Sequence, residues 1–144
     1  MLYVATALPS RDPELEKRVA LHRERRPDSW GTLELGGGDL GLVLEEARRW
    51  EAVLFDSVTL WVSARMFDGG GEEEILRDFE GFLEGAVSPP VPLVLVSDEV
   101  GLGIVPEGVG ARSFRDLLGL ANQRAAAVAE EVRLCVAGIG VRIK

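Results

Sequence analysis

Cysteine and histidine each occur once in the 144 residues, lysine only at Lys17 and Lys144, and side-chain amides only at Asn122 and Gln123. A lone Cys135 excludes an intrachain disulfide and a multi-thiolate metal site. It lies in the apolar run VRLCVAGIGV, where a small buried side chain is the expected role. No stretch approaches the ~20 apolar residues of a membrane span, and Met1 leads into LYVAT without a basic leader segment. The expectation is a soluble, cytoplasmic protein. The scarcity of amides fits a heat-adapted source and a GC-rich genome equally well. Positive charge is scarce too: 16 basic against 24 acidic side chains leave a net charge of −8. A diffuse positive surface for a nucleic-acid backbone is therefore excluded.

What is present reads as ordinary globular composition. Hydrophobic residues make up 47% and charged residues 28%, which argues against disorder, collagen and a pure coiled coil. The length is that of a single domain, residues 1–144. One segment reverses the acidic balance. KRVALHRERR, from Lys17 to Arg26, carries five positive charges and one negative, so it is +4 and the remaining residues sum to −12. It surrounds His22.

The hydrophobic periods alternate between strand and helix. Leu2 to Thr6 is a short buried-strand candidate. Asp12 followed by Pro13 suits a helix start, and Leu15, Val19 and His22 then share one helical stripe. Pro27 predicts an end near Arg25 or Arg26. Gly36–Gly38 reads as a loop, with Asp39 as a cap for a helix through Arg49. Ala52 to Phe55 is a continuous apolar run ending in Asp56, a buried parallel strand with a carboxylate at its carboxyl end. A helix is expected through Leu60, Trp61 and Met66, and an amphipathic one from Glu72 to Gly85. Leu93 to Val96 reads as a second buried strand, then a loop SDEVGLGIVPEG and a long helix from about Gly110 to Glu131. Val132–Ala137 and Val141–Ile143 suit a hairpin around Gly138 and Gly140. Strands alternating with helices imply an α/β domain with a mostly parallel sheet. Ligands bind beyond the carboxyl ends of such strands, which here are Thr6, Asp56 and Ser97.

His22 is the leading chemical candidate. A neutral imidazole is nucleophilic and can attack a phosphorus centre to form a phosphoramidate. Arg23, Arg25 and Arg26 adjoin it, and guanidinium groups clamp phosphate oxygens and stabilise developing charge. The competing role is a half-buried core histidine on the Leu15–Val19 stripe, with the arginines as a solvated helix end. Asp56 occupies the position where nucleotide-binding α/β proteins place a metal-organising carboxylate; the competing role is a cap for the helix beginning at Ser57 and Val58. Glu34, Asp98, Glu99 and Glu107 fall in expected loops, where facing water is the default. Gly101-Leu102-Gly103 lacks the third glycine of a dinucleotide fingerprint, and the triple-glycine runs lack the Lys-Ser/Thr ending of a P-loop. Trp30, Trp50 and Trp61 are expected to pack, since no basic groove surrounds all three.

The string VSDEVGLGIVPEGVGARSFRDLLGLANQRAAAVAEEV, from Val96 to Val132, closely resembles the bifunctional adenosylcobinamide kinase / adenosylcobinamide-phosphate guanylyltransferase family of cobalamin biosynthesis. That family's pattern reads roughly V-[ST]-N-E-V-G-x-G-I-V-P-E, then A-R-x-F-R-D, then N-Q-R. The resemblance extends to LYVATA, to His22 through Arg26, Pro27 and Trp30, to FDSVTLWVS around Asp56 and to GIGVRIK. It implies that His22 attacks the α-phosphorus of GTP and holds GMP, which then passes to adenosylcobinamide phosphate. It implies nucleotide contacts from Val4, Ala5 and Thr6, from Arg23, Glu24, Arg25 and Arg26, and from Glu34 and Asp56. It further implies RecA-like P-loop topology, Mg2+ with the nucleotide, a kinase step using GTP or ATP, and a homo-oligomer, expected as a trimer.

The sequence departs from the pattern at Asp98, where the family has asparagine, at Ser57, usually cysteine, and at Ala64, often asparagine. The family's opening strand, G-G-x-R-S-G-K-S loop and helix have no counterpart before Met1. The expected consequences are guanylyl transfer in preference to kinase activity, and a sheet with an unfilled slot or raw edge. The alternative expectation is a folded oligomeric remnant with impaired nucleotide binding and no catalysis.

Overall fold

The computed structural model describes residues 1–8 and 13–144. The apolar run at the start forms β1, Leu2–Ala5. Helix α1 is Pro13–Glu24, with the proline at the first helical position, where its missing N–H costs nothing. The cap expected at Asp12 and the side chain of Leu15 lie outside the described residues. Strand β2 is Gly31–Glu34 and helix α2 Gly41–Ala47. Strand β3, Val53–Asp56, leads into α3, Val58–Phe67, then α4, Glu72–Ala86. Strand β4 is Leu93–Val96, and α5 is Val109–Val128. Strands β5, Arg133–Val136, and β6, Ile139–Arg142, close the described chain.

Strands β2, β1, β3 and β4 form one sheet in that order, all parallel. The α/β class expected from the alternation is therefore the class observed. In-register partners share a face, so Leu2, Val53 and Leu93 lie on one side with Val4, Phe55 and Leu95. That side carries the core, into which α2, α3, α4 and α5 send Val43, Trp61, Val62, Ile75, Phe79, Phe82, Leu117 and Leu118. Phe55, Phe82, Phe79 and Trp61 form a chain of tilted rings with centroids 5.9–6.1 Å apart. Such pairs add about 0.5–1.5 kcal/mol beyond the area they bury. The opposite side carries Tyr3, Ala5, Thr32, Glu34, Leu54, Asp56, Val94 and Val96. No described residue of α1 joins the core cluster, and Val94 and Val96 stay exposed.

Several expectations are corrected. Strand β2 was not expected: GTLE is short and half polar, and its burial alternates with the core face. Glu34 consequently ends a strand instead of sitting in a loop. Gly31 is required there, since a Cβ would stand 2.2 Å from the Trp50 ring. Helix α2 stops at Ala47, short of Arg49, and Asp39 accepts the Gly41 N–H at 2.8 Å across a local turn without capping the helix. Strand β4 is not fully buried, because Val94 and Val96 point to the side of the sheet away from the core, and α5 ends three residues before Glu131. The expected hairpin forms, but its turn is at Ala137 and Gly138, with φ of 52° and 78°, and Gly140 lies within β6 opposite Cys135. Cys135 is exposed, not buried, because β5 and β6 pair only with each other.

Candidate active site

Asp56 ends β3, the central apolar strand, beside the carboxyl end of β1. It does not cap the following helix. Ser57 does, its hydroxyl accepting the Leu60 N–H at 3.3 Å, which leaves the Asp56 carboxylate free for another role. The backbone after Asp56 is fixed from β1: the buried Thr6 hydroxyl donates to the Ser57 carbonyl at 2.8 Å and accepts the Ser57 N–H at 2.6 Å. From the same strand the Tyr3 hydroxyl donates to Asp56 Oδ2. Burial pushes the Tyr3 phenol up to about 12, and its hydrogen bond to Asp56 and the carboxylate's charge push the same way. Tyr3 therefore stays a neutral donor well above neutral pH.

The Arg23–Arg26 segment closes over this group. Arg26 places its guanidinium 3.4 Å from the centre of the Tyr3 ring and donates from Nη1 to Thr32 Oγ1 at 3.2 Å. Its Nε is buried without a hydrogen-bond partner. Arg23 pairs with Glu34, tying the end of α1 to the end of β2. Both members are exposed, so the pair orients side chains more than it stabilises. Arg23, Arg26, Trp30, Thr32 and Glu34 line a hollow of about 250 Å³. With Asp28 it carries two guanidinium groups, two carboxylates and an indole, so it offers donors, acceptors and a planar face to a polar, planar group.

The other expected site residues fall in different places. His22 is exposed on α1, so the core-histidine role is excluded. Exposed Glu24 and Arg25 adjoin it in the sequence. Val4 is fully buried in the core, and the Ala5 carbonyl accepts the Leu35 and Gly36 N–H groups at 2.8 and 3.2 Å. Beyond β4, Ser97 donates to Asn122 Oδ1 at 2.6 Å, and Thr59 accepts the Asp98 N–H at 2.8 Å. These bonds seat the loop whose Leu102 and Ile104 are exposed. Asp98, Glu99 and Glu107 are exposed, as expected of loop carboxylates. Trp61 is buried, whereas Trp30 and Trp50 are half-buried. A second cleft, about 560 Å³, opens between α2 and α4 beside Arg65, which pairs with Glu74 and Asp78. Tyr3 and Thr32 were missed from the sequence. The signal for Tyr3 was a phenol inside an apolar strand, since a buried hydroxyl needs a partner.

Fold and site define an α/β protein with a parallel sheet of P-loop NTPase-like topology, its polar groups gathered at the carboxyl ends of the strands. The chain belongs to the cobinamide kinase / cobinamide phosphate guanyltransferase family, whose family model matches residues 1–143. It is 38% identical to the bifunctional adenosylcobalamin biosynthesis protein CobU of Escherichia coli, an alignment covering 100% of this chain and 86% of the relative. The protein of the same name in Salmonella typhimurium is 37% identical with the same coverage. CobP of Pseudomonas aeruginosa, also described as a bifunctional adenosylcobalamin biosynthesis protein, is 35% identical over 99% of this chain and 81% of the relative. Among the described residues no helix is long and apolar enough to cross a membrane.

Proposed function

We propose that this chain is a cobinamide-phosphate guanylyltransferase that works through a covalent His22–GMP intermediate. The observation that carries the reading is a hollow lined by Arg23, Arg26 and Glu34, with Arg26 over the ring of Tyr3, which holds Asp56, and an exposed His22 next to Arg23 in the sequence. An imidazole nitrogen of His22 attacks the α-phosphorus of GTP. The new N–P bond forms as the P–O bond to pyrophosphate breaks, and pyrophosphate leaves with the electron pair. The phosphate of adenosylcobinamide phosphate then attacks the same phosphorus, releasing His22 and giving adenosylcobinamide-GDP.

Arg23 and Arg26 suit the phosphate charges, and Glu34 and the neighbouring carbonyls suit the donors of a guanine edge. Val4, Ala5 and Thr6 act through the shape of the β1 terminus, because their polar groups are engaged in the fold. Glu24 and Arg25 flank the nucleophile. No group of three or more His, Cys, Asp or Glu side chains able to hold a metal occurs among the described residues. Mg2+ carried on a triphosphate needs only one or two protein carboxylates. The kinase step, with GTP or ATP as donor, is assigned second place, since the proposed machinery serves a histidine nucleophile. The proposal includes a cytoplasmic homo-oligomer, a trimer by family resemblance, acting on adenosylcobinamide substrates.

The test is intact-protein mass spectrometry after incubation with GTP and Mg2+. The chain is expected to gain the mass of one GMP, in a linkage that acid cleaves and base does not. His22→Ala is expected to abolish the adduct. Labelling that survives this substitution moves the nucleophile elsewhere, and an unlabelled wild-type chain rejects catalysis in favour of a non-catalytic homologue.

A further inference from the structure

We infer that Tyr3 is a positioning residue for the nucleotide site, holding Asp56 through its hydroxyl and seating Arg26 on its ring. The inference rests on the guanylyl-transfer reading above and goes past it, since it assigns a role to a residue outside the expected nucleotide contacts.

Three observations converge on this side chain. Tyr3 lies on the side of the sheet away from the aromatic core, so its ring is not needed to fill that core. It is nonetheless only 7% exposed, and what covers it is the guanidinium of Arg26 at 3.4 Å from the ring centre. Its hydroxyl ends on Asp56 Oδ2, in the strand that pairs directly with its own.

The geometry divides the work between ring and hydroxyl. An aspartate at a strand end can rotate about χ1 and χ2. A donor fixed on the adjacent strand holds one oxygen and leaves the second directed by the constraint. The ring gives Arg26 a flat, apolar seat that attracts a cation through its quadrupole. Arg26 is fixed there by the ring beneath it and by its Nη1 bond to Thr32. One phenol therefore fixes an anion and a cation that come from different elements, β3 and the segment after α1. Both must be in place before an anionic substrate arrives if they are to stabilise charge without reorganising.

Two substitutions separate these roles. Tyr3→Phe keeps the ring under Arg26 and removes the donor to Asp56. It is expected to slow GMP labelling at saturating GTP about tenfold, the size of a hydrogen bond to a charged group, with half-saturating GTP shifted by no more than about twofold. Tyr3→Leu removes the ring as well, and half-saturating GTP is then expected to rise about fivefold as the cation–π seat is lost. Phe and Leu variants with the same kinetics, or with losses that only follow their melting temperatures, overturn the positioning role. So does a Phe variant labelled at the wild-type rate.

A second measurement needs no nucleotide. The chain contains a single tyrosine, so phenolate absorbance reports on Tyr3 alone. While circular dichroism shows the fold intact, wild-type protein is expected to show little phenolate at pH 11, in line with ionisation near 12. Asp56→Asn is expected to lower ionisation by the carboxylate's share of the rise, while the larger share that burial causes remains. Ionisation near 10 in the wild type, unmoved by Asp56→Asn, overturns the contact. If the wild-type chain is not labelled by GTP, guanylyl transfer is what fails, and the titration alone decides whether Tyr3 holds Asp56.

Discussion

At the scale of single residues, the site is organised by groups that the chain's acidic surplus would not suggest. Tyr3 holds its proton more tightly in the folded state than an exposed phenol does, chiefly because burial disfavours the phenolate and secondarily because Asp56 faces it. The linkage has a definite sign. A group whose ionisation is raised on folding stabilises fully below its unfolded value, and that contribution is lost as pH rises toward the folded one. Stability is therefore expected to fall between about pH 10 and about pH 12 in part through Tyr3. Urea midpoints collected from pH 8 upward should drop more steeply for the wild type than for Tyr3→Phe, which has nothing to ionise there. Equal slopes would mean that the phenol is not held in its un-ionised form.

At the scale of elements, close approach decides more than propensity. Strand β2 runs beside β1 with Gly31 under the Trp50 ring, and a methyl group at position 31 would sit 2.2 Å from Trp50 Cζ2. An indole cannot be displaced as cheaply as the tip of a flexible chain. Gly31→Ala is expected to cost about 1–3 kcal/mol, the usual penalty for overpacking, read as a lower urea midpoint with unchanged slope. In a Trp50→Leu background the same substitution should cost much less; an undiminished cost would place the strain in the backbone instead. This contact also shows where sequence reasoning stops. The apolar runs of β1 and β3, the amphipathic α4 and the hairpin turn were legible because each pattern is local. Strand β2 was not, because a glycine, a threonine and a glutamate alternate with a single leucine, and only its partner strand makes it a strand. The candidate site divides along the same line. The reversal of charge around His22 is local and drew attention to Arg23 and Arg26 at once. The Tyr3–Asp56 hydrogen bond joins residues 53 positions apart, and no periodicity reports it.

At the scale of the whole molecule, the sheet is unequally covered. Parallel sheets are ordinarily packed on both faces, and here α2 to α5 bury one face while the other carries the site and the exposed Val94 and Val96. Helix α1 presents mostly exposed side chains, with Val19 half-buried among those described. Near its end, Arg23 pairs with Glu34 of β2. The β5–β6 hairpin is exposed along its length and forms a sheet of its own. An isolated two-stranded hairpin is at best marginally stable in water, so its hydrogen bonds should open without unfolding the core. Local opening costs range from near zero to the full stability of the fold, in units that follow contact with the core. Amide exchange followed by mass spectrometry is therefore expected to rank the chain: β1 and β3, flanked by strands on both sides, slowest; β2 and β4, with one free edge each, faster; residues 133–142 fastest of the strands. Substrate need not slow the hairpin if it binds at the carboxyl ends of β1 and β3. Hairpin amides as protected as those of β3 in the protein alone would show that β5 and β6 are packed against something in solution, and the ranking by coverage would fall.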